Sequence, residues 1–255
     1  MPKDIATVCL DGTATDDVTA ALTEALAPFA HDVQPVDGRW QGEWDWWHVY
    51  GGDGERGLAV RPGHENDPRL IRSPIWLDGS PRPAQPAHRC DGGPRGVLDL
   101  DTERTAAAVA AAREWDTWSE FAARFPPAQP LQAKSERSPS GAPAIGLPYQ
   151  EFREQPLMRA LAAWRQSDPN VPAWAKHSDP VEYFGESREQ YAHRAAVRAE
   201  TTNVLVTLDG RWTDCFEYAP TPEQPNAAYA YFDFADRYLR ELPDDAFIVR
   251  VRFHS

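Results

Sequence analysis

The amino-terminal part of the chain begins with an apolar run that predicts a buried strand. Residues 5–10 (Ile-Ala-Thr-Val-Cys-Leu) are almost wholly apolar and stop at an Asp-Gly turn signal. Over residues 18–29 the apolar positions then recur with the 3.6-residue period of an amphipathic helix. A second strand is predicted at 46–50, where a glycine pair ends the pattern. This part therefore predicts a strand, a helix and a strand.

The carboxyl-terminal part repeats that order. Residues 203–208 (Asn-Val-Leu-Val-Thr-Leu) are mainly apolar and predict a strand, which ends at another Asp-Gly pair, a strong hairpin signal. A helical period follows over about 225–242, and residues 246–254 then alternate between an apolar face and a face that carries Ile248, Arg250, Arg252 and His254. The alternation predicts a half-buried strand in which one face carries four apolar side chains: Phe247, Val249, Val251 and Phe253.

A strand, a helix and a strand at each end predict an α+β fold, specifically a ferredoxin-like antiparallel sheet with helices on one face. Residues 1–60 and 200–255 would form the core of a single elaborated domain spanning 1–255. Residues 61–199 would then be a large helical, loop-rich insertion. The insertion begins with a Pro- and Gly-rich excursion over 61–96, and a stretch expected to be flexible covers 126–148. Three helices are predicted within it, over 101–125, 149–165 and 187–200.

The charge balance narrows the possible partners. The chain has 26 basic and 39 acidic residues, a formal net charge of -13. Proteins that bind nucleic-acid backbones need lysine and arginine to replace counterions, so direct backbone binding is not expected. An acidic surface that serves solubility is the ordinary interpretation, and a nucleic-acid mimic that occupies a basic cleft is the alternative.

Cysteine spacing and hydropathy indicate the cellular compartment in which the protein is expected. The three cysteines, Cys9, Cys90 and Cys215, lie far apart and have no paired spacing, which is typical of a reducing, cytoplasmic protein. Neither a signal peptide nor a membrane span is expected, because no long apolar stretch occurs.

Aromatic side chains are concentrated in residues 44–50 (Trp-Asp-Trp-Trp-His-Val-Tyr). Rings at this density line a pocket or fill a tightly specified core strand. A planar ligand with anionic groups would suit such a pocket, with arginines such as Arg39, Arg56 or Arg211 for its charge. The candidate ligand-binding residues are Trp44, Trp46, Trp47, Tyr50, Arg211 and Trp212. Trp76, Trp115 and Trp118 could also line such a pocket, although burial against the sheet explains Trp115 and Trp118 equally well, and core packing is the favoured interpretation for most of the rings.

The candidate catalytic residues are Asp45, His48 and His254. Asp45 and His48 would lie on opposite faces of a strand, and His254 ends a strand that the sheet could bring nearby. With Asp53 they offer mixed nitrogen and oxygen ligands for a divalent metal. No spacing typical of a metal site supports this, so neither a metal nor a cofactor is assigned. The alternative is that Asp45 binds backbone amides and the histidines lie on a solvated edge.

Two further carboxylates, Asp99 and Asp101, precede the predicted helix at 101–125. Helix capping is the favoured role, because a carboxylate satisfies free backbone N–H groups at a helix start. An acid–base pair is the alternative.

Four segments resemble, in the same order, uncharacterised proteins encoded by actinobacterial phages and their hosts. Residues 44–52 resemble a Trp-Asp-Trp-Tyr-x-Ile-Gly-Gly-Arg-Trp motif, and 91–99 resemble an Asp-x-x-x-Lys-Gly-Asp-Ile-Asp segment that precedes a helix. Residues 204–212 resemble a strand ending in Asp-Gly-x-Trp, and 248–254 a terminal strand closing in Asp-Cys-His. The chain departs from this pattern after the glycine pair and before its last histidine, where it has Asp53-Gly54 and Arg252-Phe253.

The resemblance implies a phage or prophage setting and no established activity. The leading expectation is an accessory protein that binds a host protein or a small anionic, planar, nucleotide-like ligand, with counter-defence as one possible role. The alternative is a metal-assisted hydrolase that uses Asp45, His48 and His254. A DNA-mimic inhibitor is the third hypothesis.

Overall fold

The computed structural model describes residues 3–15, 17–33, 43–49, 57–75, 79–82, 88–131, 146–216 and 227–254. The chain forms two compact units. Unit 1 contains Met1–Thr105 and Val197–Ser255, and unit 2 contains Ala106–Ala196. The predicted insertion at 61–199 is therefore divided, since residues 61–105 belong to unit 1.

Unit 1 is built on a mixed β-sheet. The described strands are β1 (Lys3–Leu10), β2 (Trp46–Val49), β3 (Leu58–Ala59), β4 (Arg89–Cys90), β5 (Gly92–Pro94), β6 (Val204–Val206), β7 (Trp212–Asp214) and β8 (Phe247–His254). The main sheet has the order β2-β8-β1-β6-β7, and β5 also pairs with β8. A separate two-stranded ladder joins β3 to β4.

The fold class is α+β, but the sheet is not the antiparallel one expected. Strands β1 and β6 are direct neighbours and run parallel, whereas β8 runs antiparallel to β1 and β7 antiparallel to β6. A ferredoxin-like split β-α-β unit would place another strand between the two parallel ones. The ferredoxin-like topology is therefore not confirmed.

The described helices number seven: α1 (Val18–Leu26), α2 (Thr102–Ala122), α3 (Tyr149–Glu154), α4 (Pro156–Ser167), α5 (Pro180–Tyr183), α6 (Arg188–Ala199) and α7 (Ala227–Glu241). Helix α2 is capped by Asp99, whose Oδ1 accepts the Thr102 N–H at 3.0 Å, so the capping role is confirmed for this carboxylate. The single helix predicted at 149–165 is wrong. The helix is broken at Gln155, because the proline ring that follows disfavours helical backbone angles at the residue before it.

Helices α1 and α7 cover opposite faces of the sheet, which contradicts the expectation of helices on one face. Leu22 and Leu26 of α1 pack with the face that carries Val8 and Val249. Leu239 of α7 packs in a different cluster, with Cys9, Leu205 and Ile248 from the other face. Strand β8 is consequently buried on both faces over most of its length and not half-buried as predicted.

Unit 2 has its own aromatic core. Trp118 of α2 packs edge-on against Trp174, with ring centroids 5.6 Å apart, and stacks on Phe184 at 5.2 Å. Trp115 donates its indole N–H to the Glu186 carbonyl at 3.1 Å. These two tryptophans therefore stabilise the helical unit itself. Of the stretch predicted to be flexible, residues 132–145 lie outside the described residues.

Candidate functional site

Strand β2 brings the aromatic segment to the edge of the main sheet. It pairs with β8, so that Trp46 lies opposite His254 and His48 opposite Arg252. Because side chains alternate along a strand, Trp46 and His48 share an exposed face, while Trp47 turns inward and packs on the core. The Trp46 side chain remains 36% exposed.

Asp45 and His254 are joined by two hydrogen bonds. The Asp45 backbone N–H donates to the His254 carbonyl at 2.9 Å, and Oδ1 of Asp45 lies 2.7 Å from Nδ1 of His254. The side-chain hydrogen bond to His254 lowers the pKa of the Asp45 carboxyl below its usual value. The sequence predicted that Asp45 and His48 would lie on opposite faces of one strand. Asp45 instead precedes β2, so the alternation of side chains along the strand does not fix the direction of its carboxylate.

Three rings lie nearly parallel on this face. The Trp46 ring stacks with His48 at a centroid distance of 5.3 Å and with His254 at 5.8 Å, with interplanar angles of 14° and 4°. The structure thus groups the three candidate catalytic residues around one indole. Among the residues that the structure describes, no three His, Cys, Asp or Glu side chains are placed to hold a metal ion. We call Asp45, Trp46, His48 and His254 the ring platform.

Other candidate residues lie away from the ring platform. Trp44 donates its indole N–H to the Leu26 carbonyl at 3.0 Å and packs on the core. Trp212 is only 2% exposed and packs between Phe29 and Phe253, so it fills the core and offers no surface to a ligand. Arg211 lies exposed at the β6–β7 hairpin. Outside the described residues lie Arg39, Tyr50, Asp53, Arg56 and Trp76.

A cavity of about 340 Å³ lies elsewhere in unit 1. Its wall includes residues from β1, α2, α6, α7 and β8, together with the segment that links α6 to β6. Six of its lining side chains carry charge: Asp4, Arg89, Glu103, Arg198, Glu200 and Arg250. We call this hollow the charged cavity.

A buried ion pair forms one part of the wall of the charged cavity. Nη2 of Arg250 lies 3.1 Å from Oε2 of Glu200 and also donates to the Glu200 carbonyl at 2.9 Å. Both side chains are only 5% exposed. Burial raises the pKa of Glu200 and lowers that of Arg250, although each partner opposes the shift of the other. A titratable group whose pKa is shifted by burial and by a charged partner within a cavity is typical of functional sites.

The remaining charged groups of the cavity have different partners. Arg89 pairs with Glu103. Asp4 accepts the Ile5 backbone N–H at 2.7 Å and the Asn203 amide at 3.3 Å. The guanidinium of Arg198 lies 4.6 Å from the centroid of the Phe232 ring, a cation–π contact.

None of these cavity residues belongs to the site predicted from the sequence. The one available signal was in β8, where the supposedly solvated face carries Ile248 next to Arg250. An apolar residue on that face indicates burial, and a buried arginine requires a carboxylate partner. No sequence pattern, however, identifies Glu200 as that partner.

Comparison with known proteins gives no match: no family model matches the chain, and no curated protein or solved structure matches it either. Within the described part of the chain, none of the helices has both the length and the apolarity needed to cross a bilayer.

Proposed function

We propose that this protein binds a small anionic ligand in the charged cavity. The cavity volume, about 340 Å³, falls at the lower end of the range typical of small-molecule sites. A cavity of that size favours a compact ligand. The proposal keeps the expectation of a small anionic ligand and moves its site away from the tryptophan segment.

Arg198 is the observation that carries the proposal. The other two arginines of the cavity are each paired with a glutamate, whereas Arg198 has no carboxylate partner among the described residues. Its contact with the Phe232 ring helps to hold the guanidinium at the cavity wall. A planar guanidinium fits a carboxylate or a phosphate with two parallel hydrogen bonds. Arg198 is therefore the group that would bind the anion.

Arg198→Gln tests this proposal, with Arg237→Gln as the matched control, because Arg237 is an exposed arginine on α7 outside the cavity. Isothermal titration calorimetry would compare small carboxylates and phosphates at constant ionic strength. We expect Arg198→Gln to weaken binding at least tenfold and Arg237→Gln to leave it unchanged. Equal losses in both variants would indicate only a general charge effect, and an absence of binding by the whole panel would count against the proposal.

The Asp45–His254 hydrogen bond favours a second candidate function, hydrolysis at the ring platform. A carboxylate bound to Nδ1 fixes the imidazole tautomer and leaves Nε2 to accept a proton from water. No metal is needed for this role. Chromogenic esters and phosphodiesters, assayed with and without a chelator, would test it. Activity that resists the chelator but is lost in both Asp45→Asn and His254→Gln is the expected result, and activity retained in either variant would exclude the pair.

The host-protein partner, the phage setting and counter-defence stay predictions that rest on the resemblance. They are compatible with a small-ligand site, and the cavity residues do not carry them.

A further inference from the structure

The charges left over in the cavity point to a more specific ligand. We infer that the ligand is a zwitterion, which carries an ammonium group as well as its anionic group, as small amino acids do. This inference rests on the proposed function, because it concerns the same cavity and the same Arg198.

The count of charges in the cavity wall is the first step. Three arginines and three carboxylates line the cavity, so the wall is neutral as a whole. Arg250 is paired with Glu200, and Arg89 with Glu103. One cation, Arg198, and one anion, Asp4, are left over. Within the described ranges, these two groups make no ion pair with each other or with any other side chain.

The surroundings of Asp4 support an unsatisfied anion. The hydrogen bonds to its carboxylate come from the Ile5 backbone and the Asn203 amide, and both of these donors are neutral. The two bonds from Asn203 are long, at 3.3 and 3.4 Å. Neutral donors can orient a carboxylate without cancelling its charge, so a ligand cation still gains from approaching Asp4.

Simple ions match only half of this arrangement. An anion bound at Arg198 also enters the field of Asp4, which repels it, whereas the two ion pairs carry no net charge. An amine bound at Asp4 leaves Arg198 unmatched. A compact molecule with both groups satisfies both ends, and repulsion at the wrong end rejects its singly charged analogues.

Calorimetry with matched probes tests the inference. The carboxylate set is propionate, propylamine and β-alanine, and the phosphate set is ethyl phosphate and 2-aminoethyl phosphate. We expect β-alanine to bind at least tenfold more tightly than propionate or propylamine, and 2-aminoethyl phosphate at least tenfold more tightly than ethyl phosphate. The stronger of the two sets identifies the anionic group.

Two variants that each remove one charge assign the two ends. Asp4→Asn should remove the advantage of β-alanine over propionate, and Arg198→Gln should remove its advantage over propylamine. Glu241→Gln and Arg237→Gln are the charge-matched controls, since both residues are exposed on α7 and lie outside the cavity. Circular dichroism would verify that each variant is folded.

The outcomes separate this inference from the proposed function. If propionate and β-alanine bind equally well through Arg198, and Asp4→Asn changes neither affinity, the inference is overturned and the anion site stands. If no probe from either set binds to the native protein, both the inference and the proposed function are overturned.

Discussion

The buried pair of Arg250 and Glu200 gives the sharpest prediction about stability. Arg250→Met would leave the Glu200 carboxylate only 5% exposed and without its guanidinium partner. Removing one member of a buried ion pair costs about 3–5 kcal/mol, since the desolvation penalty of the other member is no longer offset. Two hydrogen bonds from Nη2 of Arg250 to Glu200, at 2.9 and 3.1 Å, are lost at the same time. We therefore expect Arg250→Met to lower the free energy of unfolding of unit 1 by about 3–5 kcal/mol.

The double variant decides whether the pair itself is responsible. Glu200→Leu alone should also destabilise, because it leaves Arg250 buried without its carboxylate. With both changes no uncompensated charge remains, and apolar replacements of buried ion pairs are often neutral or stabilising. We expect the double variant to be at least about 2 kcal/mol more stable than the sum of the two single effects implies.

Urea unfolding monitored by circular dichroism would measure the four free energies, with a check that the slope against denaturant is the same in each variant. Strictly additive losses would refute the reasoning, since they would show that the two side chains do not interact. A loss below about 1 kcal/mol for Arg250→Met would refute it equally, because it would place Glu200 in contact with water.

Three further predictions concern unit 1. Burial raises the folded-state pKa of Glu200 above its usual 4.5. Above that pH the native state binds more protons than the unfolded state, so the free energy of unfolding measured with urea should fall as the pH rises. Glu200→Gln should make this fall smaller. Gly92→Ala should lower the free energy of unfolding by about 1–3 kcal/mol, because a Cβ at Gly92 would lie 2.7 Å from a backbone oxygen of β8. Gly93→Ala should lower it less, because a Cβ there would meet a flexible leucine side chain at 3.2 Å. Carboxyl NMR titration should show Asp45 titrating below its usual pKa of 3.8, and His254→Gln should raise that pKa.

Secondary structure was largely predictable because its signals are local. The strand predicted at 5–10 is observed as Lys3–Leu10, and the helix predicted at about 225–242 as Ala227–Glu241. The hairpin predicted after β6 is present, and Gly210 adopts the positive φ of 74° that its turn requires. Each of these elements depends on neighbours within a few residues, which a pattern records directly.

Strand order was not predictable from the same patterns. The periods indicate which residues form strands, but they do not indicate that β6 pairs with β1 in parallel. The choice of the ferredoxin-like sheet also led to the error about β8. With α1 and α7 on opposite faces, both sides of β8 are covered, and Arg250 is buried where a solvated residue was expected.

The two candidate sites differ in how much of them a sequence can reveal. The ring platform depends on one short segment and one strand end, and the dense Trp-Asp-Trp-Trp-His pattern marked the segment before the pairing of β2 with β8 was known. Asp45 and His254 do lie in contact. The pairing of β2 with β8 at the edge of the sheet brings them together, and not a ferredoxin-like strand order.

The charged cavity is hidden from sequence reasoning for a physical reason. A buried ion pair consists of two residues that each look, in sequence, like ordinary surface charges, and Glu200 and Arg250 are fifty positions apart. Burial is what makes such residues informative, because a charge that leaves water needs a partner, and any charge without one must be matched by solvent or by a ligand. Arg198 is exposed and Asp4 is half-buried, so pairing and not burial separates these two from the other charged residues of the cavity, which form the pairs Arg89–Glu103 and Arg250–Glu200. The folded arrangement decides which charges remain unmatched, because that depends on which charges are paired around them.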